Sequence, residues 1–221
     1  MLRYAASIFL GLALASCGAI PAGREQARVE PRAVPHTGSL HREESSSCLA
    51  ELGAGGSRFA PLPDRYYGAG CQTVDTVALS ALMGDAGEFA LSNLGPVTCP
   101  VANRFAGWAR YGVDRAARQI LGSALVRIET MGSYSCRNIA GSNRRSAHSR
   151  SEAIDVAAFV LADGRRISVK AGWDASREER EFLRTVHRSA CKRFGTVLGP
   201  DYNSAHEDHF HLEQGDGSFC R

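Results

Sequence analysis

Two short stretches near the C-terminus carry residue types that can do chemistry together: Ser146-Ala147-His148 leading to Ala153-Ile154-Asp155, and Asp208-His209-Phe210-His211. Neutral imidazoles and carboxylates are good zinc donors. Two histidines and one carboxylate would leave a fourth tetrahedral position open for water or substrate, as a hydrolytic site requires; four protein ligands would close the ion into a structural site. Asp155 is the most informative residue. It stands inside the apolar run 153–161, between Ile154 and Val156, where a charge is expensive unless it is paired or bound to a metal. The alternative is a buried carboxylate satisfied by arginine or backbone donors. His209 and His211 are two apart, so on a strand both would share one face, with Phe210 and Leu212 on the other.

The elements that must position these residues are partly readable. Ala153 to Leu161 is β-prone, and Asp163-Gly164 before Arg165–Val169 predicts a hairpin. Leu125 to Glu129 alternates as a half-buried strand, and 196–198 and 209–212 read as two more short strands. Ser176-Arg177-Glu178-Glu179 has the form of a capping box. It opens a helix that places Phe182, Leu183, Val186, Ala190 and Phe194 on one face and ends at Gly195. Further upstream, Val77, Leu79 and Leu82 suggest a helix over 75–83. Pro100 suits the first position of a helix through Phe105 and Trp108, and another short helix covers 116–121. The expected fold class is α+β: N-terminal helices, then a small antiparallel sheet with one long helix packed on it.

Taken together, Ser146-x-His148-x4-Ala153-x-Asp155 followed by Asp208-His209-x-His211 resembles the zinc peptidases of the D-alanyl-D-alanine carboxypeptidase and MepA type. The VanX-like dipeptidases and the hedgehog signalling domain share that scaffold. Over residues 48–221 the chain also resembles the bacterial extensin-like C-terminal domain family. The blocks that carry this are Gly132-Ser133-Tyr134-Ser135-Cys136-Arg137-Asn138, Ala153–Val156, Leu198–Asn203 and His206–His211. By position, the resemblance implies one zinc ion held by His148, Asp155 and His211, with Asp208 as the general base. His209 would lie beside the metal to stabilise a tetrahedral intermediate, and Arg137 would bind a substrate carboxylate or carbonyl oxygen. Ser146 would orient His148, and His206 would stand behind the ligands or in solvent. Strict strand alternation puts Glu207, not Asp208, on the histidine face, so Asp208 serves only if the strand begins or bends there; Glu207 is the second candidate. Ser151 replaces the glycine of the signature. If that position needs positive φ, serine costs about 1 kcal/mol there.

The N-terminus indicates where such a site would work. Met1-Leu2-Arg3-Tyr4 is followed by an apolar run from Ala5 to Ala15, too short to span a bilayer and suited to a signal-peptide core. The run ends Leu14-Ala15-Ser16-Cys17-Gly18, which resembles a lipobox with Cys17 as the lipidated residue. The expected organisation is a signal peptide over 1–16, a lipid-anchored flexible linker over 17–47 rich in Pro, Gly, Arg, Glu and Ser, and a folded domain over 48–221. The protein would be an exported, periplasmic, membrane-anchored monomer. Besides Cys17 there are six cysteines, Cys48, Cys71, Cys99, Cys136, Cys191 and Cys220. An even number in an exported chain suggests three disulfides, with the pairing open. The net charge of +3 and the lack of a long basic run argue against a nucleic-acid partner. Arg144, Arg145 and Arg150 crowd the His148 loop, either as a solvated basic loop or to attract an anionic substrate. The expected function is zinc-dependent hydrolysis of amide bonds in peptidoglycan peptides. The rival is a zinc-stabilised, non-catalytic wall-binding domain.

Overall fold

The computed structural model describes residues 37–221, with side chains from Glu43 onward. The signal-peptide and Cys17 expectations, and the linker up to residue 36, lie outside the described residues. Helix α1 spans Thr37–Ala54. It therefore covers the last part of the segment that composition alone reads as a tether, and Leu52 is buried against the domain.

Six strands follow: β1 Arg58–Pro61, β2 Arg65–Gly68, β3 Cys71–Thr73, β4 Thr76–Met83, β5 Glu88–Ser92 and β6 Pro96–Thr98. The helix expected over 75–83 is thus strand β4. Its buried Val77, Leu79 and Ala81 alternate with exposed Ala78 and Ser80, but the small alanines hide the period of two and leave Val77, Leu79 and Leu82 looking helical.

Helix α2 covers Cys99–Trp108 with proline in its first turn. It runs through a π-helical turn, Ala109–Asp114, into α3, Arg115–Ile120. Any side chain at Gly112 would collide with Ser189, so glycine there permits the close approach of the next long helix. The C-terminal half contains β7 Leu125–Gly132, β8 Ala153–Leu161, β9 Arg166–Ser168, α4 Val169–Gly172, α5 Arg177–Ala190, β10 Thr196–Leu198, β11 Phe210–Glu213 and β12 Phe219–Cys220. Ser176 caps α5 by accepting from the Glu179 N–H. The helix ends at Ala190, earlier than Gly195, where Cys191 enters a disulfide.

The class is α+β, but the sheet is neither small nor purely antiparallel. Ten strands form one sheet in the order β1-β4-β5-β7-β8-β11-β10-β12, with β6 on β4 and β9 on β8. The β5–β7 and β10–β12 pairs are parallel. The helices cover one face. There Phe159 packs edge-on against Phe182 of α5 and against Trp108 of α2, and the Trp108 indole N–H donates to the Val186 carbonyl.

One irregularity in β8 sets the position of Asp155. Thr130 pairs with Val156 and Glu129 with Ala158, so Ala157 has no partner on β7. This single-residue bulge reverses the alternation. Ile154 and Val156 before it, and Phe159 and Leu161 after it, all enter the core, while Asp155 points to the other face.

Three disulfides join Cys48 to Cys99, Cys71 to Cys136 and Cys191 to Cys220. Among the described residues no helix is long and apolar enough to cross a membrane.

Candidate metal centre

His211 of β11 lies directly opposite Asp155 of β8 in the antiparallel register, with Phe210 against Val156 and Leu212 against Ile154. The apolar partners enter the core and fix the register, and His211 and Asp155 then share the opposite face. His148 arrives from the 3-10 turn Ala147–Arg150, whose first N–H groups are capped by Ser146 accepting from the His148 N–H. Ser146 therefore caps the turn that carries His148. Ser151 closes the turn at φ 58° in the left-handed region, the conformation for which the signature glycine is suited.

The donor atoms converge. His148 Nε2 is 3.1 Å from His211 Nδ1 and 3.2 Å from Asp155 Oδ2, and His211 Nδ1 is 2.9 Å from Asp155 Oδ1. A tetrahedral zinc with ligand bonds of about 2.0–2.1 Å has ligand–ligand edges of about 3.3 Å, so a small expansion admits the ion. The three residues are 2–9% exposed.

The outer ring atoms support the same reading. His148 Nδ1 faces the Ser133 carbonyl at 3.2 Å, and His211 Nε2 faces a Glu213 carboxylate oxygen at 3.1 Å. Both partners can only accept, so an outer N–H meets each of them; the inner nitrogens bond Asp155 when no ion is bound and would offer lone pairs to an ion that displaced their protons.

Burial opposes charging Asp155, but hydrogen bonds from His148 and His211 outweigh it and hold the carboxyl well below its usual range. Burial likewise opposes charging His211, yet Asp155 and Glu213 raise its pKa to about 9. The centre therefore favours a cation, which is a proton on His211 in the metal-free protein.

His209 sits just before β11. Its Nδ1 donates to Asp208 Oδ1 at 2.8 Å, and its Nε2 is 3.5 Å from Asp155 Oδ1. His209 is thus the residue at the edge of the triad, and Asp208 meets it from the far side of the ring. The strand begins at Phe210, which frees Asp208 from strict alternation. Glu207 is exposed and pairs with Lys170 at 2.9 Å. His206 donates from Nδ1 to Asn203 Oδ1 at 2.7 Å and packs its ring against His209 and His211. Burial, with His209 and His211 beside it, lowers its pKa to about 4.

Arg137 is exposed. Its backbone carbonyl accepts from the Ser146 N–H, and its charge is felt at His206. Glu213 was missed from the sequence, although it continues the period of two through His209 and His211. His187 is structural: it is buried among Trp173 and Phe210. It also lies near Cys191 and Cys220, but their disulfide removes the thiolates a metal would need.

No curated protein and no solved structure matches the chain. The family model of the extensin-like protein C-terminus matches residues 46–221. That span holds all three disulfides and every residue of the centre, and the chain belongs to the extensin-like protein C-terminus family.

Proposed function

We propose that the protein is an exported zinc peptidase that hydrolyses amide bonds in peptidoglycan peptides. The observation that carries this reading is the pair of outward-fixed imidazoles, whose inner nitrogens meet both oxygens of a buried carboxylate. His148, Asp155 and His211 would hold one zinc ion. Such an ion supplies Lewis-acid polarisation of a carbonyl and acidification of water near neutral pH. His209 acts as the base through Nε2, because its Nδ1–H is held by Asp208 in the manner of a His–Asp pair. Asp208 thus acts by orienting His209, and Glu207 has no part. Arg137 binds a substrate carboxylate. The substrate class follows from the resemblance to D-alanyl-D-alanine carboxypeptidases and MepA-type enzymes, and export follows from the N-terminal signal and lipobox pattern.

One observation favours the non-catalytic alternative. His209 Nε2 lies 3.5 Å from Asp155 Oδ1, outside the converging set of three donors; a swing of its ring toward His148 and His211 would make it a fourth ligand, and four ligands would make a closed structural site. Muropeptide release from purified peptidoglycan, read by mass spectrometry, separates the two. The peptidase reading expects new peptides from the wild type, with zinc retained and release lost in His209→Ala. Zinc lost with His209, and no release by the wild type, identifies the closed site.

A further inference from the structure

The hairpin of β2 and β3 stands apart from the main sheet, yet it is tied to the His148 loop three times. Cys71 is bonded to Cys136, Arg145 Nε donates to the Ala69 carbonyl at the hairpin turn at 2.6 Å, and the Tyr67 and Tyr134 rings lie 5.4 Å apart. Tyr134 itself sits between Ser133, whose carbonyl holds His148 Nδ1, and Ser135, whose N–H donates to the His148 carbonyl. The turn is strained: Gly68, Ala69 and Gly70 all have positive φ, with the non-glycine Ala69 at 49°. The ties hold it there.

What the hairpin presents is aromatic and basic. Tyr66 is 73% exposed and Tyr67 53%, large apolar faces kept in water on a rigid support. Residues 65–74 and 133–151 together contain five arginines and no aspartate or glutamate. Arg150 is paired with Glu152. Arg65, Arg144 and Arg145 have no carboxylate partner among the described residues. Exposed tyrosines and arginines are the side chains that anchor recognition surfaces.

We infer that this hairpin and the His148 loop form a binding wall for carboxylate-bearing peptidoglycan. Tyr66 and Tyr67 take flat peptide and sugar faces, and Arg65, Arg144 and Arg145 pair with the free carboxylates of the peptide. The inference rests on the peptidase reading for its substrate and adds how that substrate is held beside the metal centre.

Cosedimentation of the purified chain with peptidoglycan sacculi tests it, using native sacculi and sacculi whose carboxylates have been amidated. The wild type should bind native sacculi and release with rising salt, and amidation should weaken binding at least about tenfold. Tyr66→Ala and Arg65→Ala/Arg144→Ala should each weaken it about tenfold, with melting temperature and zinc content unchanged. Unchanged binding by both variants, equal binding to amidated sacculi, or tighter binding to a single-stranded oligonucleotide overturns the wall. Zinc content and muropeptide release are read on the same samples. Tyrosine-dependent binding without turnover sinks the peptidase and keeps the wall, whereas turnover that ignores the tyrosines sinks the wall and keeps the peptidase.

Discussion

Ser151 offers a perturbation whose parts can be separated. Its backbone is at φ 58°, ψ 29°, it is fully buried, and its hydroxyl has no hydrogen-bond partner among the described residues. Its backbone is well used: its N–H donates to the His148 carbonyl and its carbonyl accepts from the Thr98 N–H. A left-handed conformation costs a non-glycine residue about 1–2 kcal/mol, and a buried orphan hydroxyl about 1–3 kcal/mol. Against this, glycine adds about 0.5–1 kcal/mol of unfolded-state entropy, and removing the side chain leaves a small void worth about 1 kcal/mol. Ser151→Gly should therefore stabilise the protein by about 1 kcal/mol, or about 2–4 °C in melting temperature for a domain of this size. Ser151→Ala removes the hydroxyl but keeps the strain, so it should fall below Ser151→Gly by about 1 kcal/mol. Urea unfolding of the three proteins, with zinc content measured beside it, is the assay. If alanine is as stable as glycine, the strain argument is wrong; if both variants are less stable than the wild type, so is the orphan-hydroxyl argument.

Other perturbations have equally definite outcomes. Burial lowers the His187 pKa, so the unfolded chain takes up a proton first; the stability this residue contributes is complete above about pH 6.5 and declines as pH falls below it, by at most about 1.4 kcal/mol per pH unit. His187→Leu should flatten the pH dependence of urea midpoints between pH 7.5 and 5.5, and an unchanged slope would contradict this. Glu213→Ala should weaken zinc binding about tenfold or more in chelator competition, with an unchanged far-ultraviolet circular dichroism spectrum; full affinity would show that His211 needs no outer partner. Phe159→Ala empties the contact between Trp108 and Phe182 and should cost about 3–5 kcal/mol on denaturant unfolding; a loss below about 1 kcal/mol would mean that the helices and sheet repack freely.

Much of the centre was legible because it violates local rules. Asp155 is a charge in an apolar strand, and His209 and His211 share the period of two that places a residue of β11 opposite it. The base assignment was less secure, because Asp208 and His209 are neighbours and only the start of the strand at Phe210 decides which one faces the centre. Glu213 was visible as the next member of the same alternation, but it reads as a solvent-side residue until His211 is known to need a partner. The N-terminal half was the least legible. Alanines in β4 blur alternation into a helical pattern, and the parallel pairing of β5 with β7 joins segments with two helices between them, which no local signal reports. The disulfide pairing depends on that same long-range topology. Cys71 meets Cys136 only because the β2–β3 hairpin folds onto the His148 loop.

The central claim is that His148, Asp155 and His211 hold a zinc ion. Its most direct test is the zinc stoichiometry of purified wild type and Asp155→Ala by mass spectrometry of the metal, with circular dichroism to establish that both are folded. One zinc per wild-type chain and none in folded Asp155→Ala is the expected result; a zinc-free wild type, or a full equivalent of zinc in Asp155→Ala, contradicts it.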